Sequence, residues 1–411
     1  MRFILAPLRH KASFGFLYIA NFVFAFHIFF TTYFNSSFLG ARGLTEGDVS
    51  DMYLFGSLIS LGALIAFPRV LRLLGAYRSI LILSFFQALT LICLSIPAFA
   101  PFTFVFFVYY ITSFPLIVFL LDVFLENLTQ KEGRTGEIRG AFLTTTNTAL
   151  VIAPLFAGAL LTNYPFEALY ALAAALLLPF TLIMYFSFRH FRDPHYEEIH
   201  IKSVLAEAKA NRDVRNIYML HFLLRIFFAF MVIYTPLYLH NVVGFSFEDI
   251  GMLLAIMLLP FALFELPLGK IADAYTGEKE ILFVGFAILA LSTALLSFIT
   301  SSAFIVWAIV LFITRVGASA VEIMTESYFF KHIDGDDSDN IAIFRLTRPA
   351  GYVAAALLGA LSLSIVEFRY LFIILALCML IGLIITPLLR DSCSRRDRER
   401  ETLLHNKTIA R

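Results

Sequence analysis

A chain of 411 residues that is 60% hydrophobic and 15% charged is too apolar for a soluble globule, in which about a quarter of residues are charged. Its formal net charge of +1 hides a strong asymmetry along the chain and so says nothing about nucleic acid. Three scattered cysteines (Cys93, Cys378, Cys393) without a CxxC pair exclude a disulfide framework and argue against a metal site.

Taken in order, the apolar runs predict twelve spans, near residues 14–38, 49–71, 77–97, 101–126, 139–162, 166–188, 216–240, 248–268, 280–299, 302–328, 340–365 and 368–389. Runs of roughly 20 residues are long enough to cross a hydrocarbon layer about 30 Å thick as helix. None alternates strictly, so helices rather than barrel strands are expected, and the fold class is an all-α membrane protein. Residues 1–13 form a short basic lead, and the first run is too long for a cleavable signal peptide. The links at 97–101, 162–166, 299–302 and 365–368 are so short that the spans they join must be antiparallel. The long link 189–215 is charged, with a helix-compatible piece at 201–211, and the tail 391–411 is polar and Arg-rich. Such a tail buries too little to fold. The expected organisation is a six-span bundle over 1–188, a cytoplasmic linker over 189–215, a six-span bundle over 216–390 and a cytoplasmic tail over 391–411.

The chain also writes one pattern twice. Tyr18 and Phe22 are answered by Tyr218 and Phe222, Thr45-x-x-Asp48 by Ser246-x-x-Asp249, and Pro68 by Pro267. The carboxylate pair Asp122 and Glu126 returns as Glu322 and Glu326, and Gly158-Ala-Leu returns as Gly359-Ala-Leu. An offset of about 200 residues predicts two pseudo-symmetric six-helix bundles. Basic residues set the orientation. With the N-terminus inside, the inner ends hold Arg69, Arg72, Arg78, Lys270, Lys279, Lys331 and the basic link and tail, against Arg42 and Arg369 outside. Both termini are therefore expected in the cytoplasm. Compact length and short loops suit a prokaryotic inner membrane.

Twelve spans split six and six by a long inner link resemble the major facilitator superfamily of secondary transporters. The local signature is Gly269-Lys-Ile-Ala-Asp273-Ala-Tyr-Thr-Gly277-Glu-Lys279, similar to that family's G-x-x-x-D-x-x-G-(R/K) loop with one extra residue. The first-half copy, from Pro68-Arg69 to Gly75-Ala-Tyr-Arg78, keeps a glycine and basic residues but lacks the aspartate. Glu126 with Arg139-Gly140 resembles the acid and Arg-Gly pair around the family's loop between spans four and five. Ala153-Pro154-Leu-Phe-Ala-Gly158 resembles a degraded Gly-Pro-x-x-Gly-Gly stretch of antiporters in that family. The resemblance implies that spans one, four, seven and ten line a central cavity, and that Gly269, Asp273 and Gly277 belong to a cytoplasmic gate. Physically, Gly269 would admit a close helix approach, Gly277 a tight reversal, and Asp273 could cap a helix end or pair with a base. Glu126, Arg139, Glu326, Arg345 and Arg348 are assigned to the same gate.

Charges within the spans carry the remaining expectations. Arg315, Glu322 and Glu326 are spaced seven and four apart and so share one face of span ten. Glu322 and Glu326 are expected either to pair with Arg345 or Arg348 as a helix tie, or to titrate as that pairing changes. Asp122, with no basic residue at its depth in the first half, is the other proton-coupling candidate beside Glu322; reaching the inner interface is its plainer role. Candidate solute contacts are Arg225 and Arg315, with Asn21, His27 and His221. An arginine facing lipid near the midplane costs several kcal/mol, so each arginine either meets an anionic solute or pairs with Asp122, Glu265 or Glu322. His27 could move protons or simply pack.

The functional expectation is secondary transport of a small organic solute by alternating access, with proton-coupled antiport (efflux) leading and proton-coupled uptake of an organic anion as the alternative. No GxxxxGK[ST] segment appears, which leaves ATP-driven transport by this chain unsupported. A membrane enzyme would need a His, Asp or Ser cluster at one depth, and a receptor on the same fold is the other competing class. No cofactor, no metal and no nucleic acid is expected. The partners are the solute, protons and the bilayer, and the chain is expected to be a monomer.

Overall fold

A computed structural model describes residues 2–129, 135–196, 206, 211–272, 277–332 and 338–390. Asp273, most of the piece at 201–211 and the tail 391–411 therefore lie outside the described residues, as does the side chain of Glu265. Among the described residues the chain is helical without strands, and twelve helices are long and apolar enough to cross a membrane.

The first six are α1 (Arg2–Thr32), α2 (Glu46–Leu74), α3 (Ala76–Leu94), α4 (Thr103–Thr129), α5 (Thr135–Asn163) and α6 (Phe166–Ser187). The second six are α7 (Arg212–Tyr238), α8 (Phe247–Ile271), α9 (Glu278–Leu296), α10 (Phe304–His332), α11 (Ser338–Leu363) and α12 (Leu371–Ile385). The boundaries differ from the hydropathy reading at both ends of span one. α1 reaches back to Arg2, and the outer part of the predicted span is a separate short helix, Asn35–Ala41.

Contacts divide the chain into two compact units. One is Met1–Glu198 with Val232–Ala255, and the other is Ile199–Met231 with Ile256–Arg411. In the first unit α1 packs on α5 and α6, α2 on α4, and α3 on α4 and α6. In the second, α9 packs on α10 and α12. Large apolar side chains such as Leu73, Phe156, Leu178, Leu291 and Ile384 stay more than half exposed, as surfaces solvated by hydrocarbon do.

The repeated helix starts share their chemistry. Thr45 Oγ1 accepts the Asp48 N–H at 3.2 Å while Asp48 Oδ2 accepts the Thr45 N–H at 2.8 Å. Ser246 Oγ accepts the Asp249 N–H at 3.1 Å in the same place before α8. Both satisfy amides that a helix start leaves open. α3 and α9 both begin after a glycine in left-handed backbone, Gly75 at φ 76° and Gly277 at φ 82°. There a side chain would be strained.

Candidate solute and coupling site

In the second unit, helical spacing puts Arg225 one turn beyond His221 on α7, and Glu322 one turn before Glu326 on α10. The three charges meet. Arg225 NH1 donates to Glu322 Oε1 at 3.0 Å, and its NH2 lies 3.7 Å from Glu326 Oε1. The side chains of Arg225 and Glu322 are 15% and 21% exposed, and that of Glu326 is 43% exposed. A charge at membrane depth persists when paired, yet this cluster stays open enough to be reached. Arg225 Nε also donates to His221 Nε2 at 3.1 Å. A side chain on Gly351 of α11 would not fit: its Cβ would lie 2.7 Å from Arg225 Cβ. α7 and α11 therefore touch backbone to backbone beside the arginine.

Of the pairings the sequence left open for Glu322, the one with Arg225 on α7 is formed, with Glu326 beside it. Arg345 and Arg348 lie exposed along α11, and Arg345 is among the charges near Glu326. Arg315, the other expected solute contact, is 1% exposed, with its guanidinium carbon 4.9 Å above the Phe227 ring and 5.9 Å from Phe228. Aromatic faces stabilise a cation so placed. It is a core residue in this conformation.

The first-unit candidates Asn21 and His27 are held by hydrogen bonds inside the bundle. Asn21 Nδ2 on α1 lies 2.8 Å from both Thr145 and Thr146 Oγ1 and 3.0 Å from the Phe142 carbonyl on α5. His27 is fully buried, with Nδ1–H donating to the Phe24 carbonyl at 2.7 Å and Nε2 accepting from Gln87 at 3.1 Å. Asp122 is half-buried on α4 and is not the isolated carboxylate its sequence setting suggests. Tyr234 is buried and bonds Ser50 at 2.7 Å.

At the expected gate, Gly277 closes the reversal into α9, its N–H donating to the Ala272 carbonyl at 2.9 Å. Gly269 differs from expectation. Among the described residues a Cβ there would meet Ile323 at 3.9 Å, an ordinary contact, so none of these residues approaches closely enough to require glycine. Glu126 is exposed at the end of α4 and Arg139 half-buried on α5.

Two groups at the starts of α3 and α9 escaped the sequence reading. Glu278, the first residue of α9, is fully buried; it accepts from Ser327 Oγ at 2.9 Å and is ion-paired to Lys331 on α10. In the first unit the matching position is Ala76, and a carboxylate arrives from elsewhere. Asp193, in the segment after α6, accepts the Ala76 N–H at 2.6 Å and the Tyr196 hydroxyl at 2.7 Å. Burial and this bond hold the Tyr196 phenol above its ordinary range. The aspartate missing from the 68–78 loop is thus replaced by one from the link.

Three comparisons bear on identity. The Major Facilitator Superfamily model matches residues 217–409. No curated protein sequence matches the chain. Among solved structures, a variant of the nucleoside transporter NupG superposes with a TM-score of 0.76 at 12% identity, covering 92% of this chain and 99% of that one. The peptide transporter POT in complex with sulfate superposes at 0.71 and 13% identity, covering 92% and 93%.

Proposed function

We propose that this chain, which has the fold of major facilitator superfamily transporters along its length and matches that family's model over residues 217–409, carries a small organic anion together with a proton. The observation that carries this reading is Arg225 held between Glu322 at 3.0 Å and Glu326 at 3.7 Å on the facing helix. An ionised Glu322 competes with any anionic solute for the guanidinium. A proton on Glu322 removes that competitor, and Arg225 then takes the carboxylate or phosphate of the solute in its two-pronged face. Proton and anion bind together, so both move the same way.

The antiport expectation drew on residues 153–158 and on the titratable Asp122 and Glu322; residues 153–158 make a helix crossing with α8. Arg225 therefore carries the sign of coupling. Within this proposal the two repeats are the moving bodies, both termini lie in the cytoplasm, and Gly277, Asp273 and the buried Glu278 stabilise the inner end of one access state. The lysine and arginine asymmetry supports that orientation. A peptide, the cargo named for POT, ends in a carboxylate and belongs to the proposed class, whereas a nucleoside does not.

A thermal-shift screen of small carboxylates, dipeptides, sugar phosphates and nucleosides tests the class. Anionic solutes are expected to stabilise the wild type, more so at lower pH, and to lose their effect in Arg225→Ala. Stabilisation by neutral or cationic solutes that survives Arg225→Ala would contradict the reading.

A further inference from the structure

One interhelical clamp is built in both units, and only the second copy is joined to a charge. In the first unit Tyr18 donates to the Ile138 carbonyl at 3.4 Å, and one turn on, Asn21 reaches Thr145, Thr146 and the Phe142 carbonyl. About 200 residues later Tyr218 donates to the Asn340 carbonyl at 2.9 Å. His221 Nδ1–H donates to Thr347 Oγ1 at 2.8 Å, and Thr347 in turn donates to the Phe344 carbonyl at 2.6 Å. His221 therefore stands where Asn21 stands, and Phe344 where Phe142 stands. The next residue on that face is Ala25 in the first unit and Arg225 in the second.

With Nδ1–H committed to Thr347, His221 presents a lone pair at Nε2, and Arg225 Nε–H occupies it at 3.1 Å. The ring has no freedom to turn. It is 2% exposed and lies flat on Phe344, centroids 3.8 Å apart and planes at 15°, with Phe329 stacked behind at 4.1 Å. The charged and titratable neighbours of the pair are Glu322 and Glu326 from α10 and Arg345, Arg348 and Tyr352 from α11.

We propose that His221 is a positioning residue: it anchors Arg225 through Nε so that the two terminal nitrogens alone face Glu322, Glu326 and any solute that displaces them. This rests on the transport reading above and deepens it. A guanidinium held at Nε offers one flat edge with two parallel donors, which suits carboxylates and phosphates. A lysine, with no fork and no Nε–H, would not reproduce it. The same anchor links displacement of Arg225 to α11 through Thr347.

The test needs no solute. Side-chain ¹⁵N–¹H spectra of arginine-labelled full-length protein in phosphatidylcholine nanodiscs would report the Arg225 Nε–H, assigned as the signal lost in Arg225→Lys. Slow solvent exchange is expected in the wild type. It should persist in His221→Asn, whose amide can donate to Thr347 as Asn21 does to its threonines while its carbonyl accepts from Arg225. Exchange at least tenfold faster is expected in His221→Leu. Thr347→Val, which leaves the ring in place but removes its anchor, should also accelerate exchange and decides the matter if His221→Leu does not fold. Fast exchange in the wild type or in His221→Asn, or wild-type exchange in both His221→Leu and Thr347→Val, would overturn the proposal. Failure of the transport reading shows differently: no pH-driven flux in a wild type whose Nε–H remains protected.

Discussion

Gly158 on α5 and Gly251 on α8 cross with no room for a side chain on either. A Cβ on Gly158 would lie 2.5 Å from the Phe247 carbonyl oxygen, and one on Gly251 would lie 2.6 Å from the Pro154 carbonyl oxygen. Both obstacles are backbone, which cannot swing aside. Small residues permit such close crossings in membranes, where dispersion and packing rather than hydrophobicity hold helices together. Gly158→Ala and Gly251→Ala are each expected to lower stability by about 1–3 kcal/mol, as overpacking does elsewhere. Thermal unfolding in detergent checks this, and unchanged midpoints in both variants would contradict the crossing.

The buried pair at the start of α9 is expected to respond asymmetrically. Glu278 is fully buried, whereas the side chain of Lys331 is 42% exposed. Removing Lys331 strands a desolvated carboxylate, at about 3 kcal/mol. Removing the charge of Glu278 leaves a lysine that can turn to water. Lys331→Ala should therefore lower the unfolding midpoint more than Glu278→Gln. The reverse order would show that the carboxylate is solvated.

Gly75 answers to two constraints at once. Its backbone sits at φ 76° and ψ 160°, a region costing other residues about 1–3 kcal/mol. A Cβ there would also lie 2.5 Å from Asp193 Oδ2. Gly75→Ala should dislodge the segment after α6, which is otherwise held by Asp193 and by Phe191, whose ring centroid lies 4.2 Å from that of Phe124. Limited proteolysis around residues 188–198 is expected to accelerate several-fold in Gly75→Ala and in Asp193→Ala. Wild-type cleavage rates in both would remove the docking role.

Much of this architecture was readable before any coordinates, because lipid forbids most alternatives. Runs of about 20 apolar residues in a chain of this composition must be helices. The offset of about 200 residues linked Thr45 to Ser246 and Tyr18 to Tyr218 through chemistry that both sequence repeats then use. What stayed hidden depends on helix rotation. Glu322 had Arg225, Arg345 and Arg348 within plausible reach, and the face that α7 turns to α10 decides among them; spacing along one helix does not. Asn21 looked like a solute contact because an amide in an apolar run wants partners, and the threonines of α5 supply them. Glu278 carried no sign of its burial in the sequence, since that burial comes from α10 closing over it. Asp193 carried no signal, being a loop residue whose target amide lies 117 positions away.

The central claim is that a proton on Glu322 yields Arg225 to an anionic solute. Its most direct test is flux in proteoliposomes loaded at pH 7.5 and diluted into pH 6.5, with a carboxylate that stabilises the protein in the thermal screen. The wild type is expected to accumulate a monovalent anion about tenfold, the ratio that one pH unit supports at one proton per solute. Glu322→Gln is expected to exchange solute but not accumulate it. Accumulation unaffected by Glu322→Gln, or driven only when the lumen is the acidic side, would contradict the account.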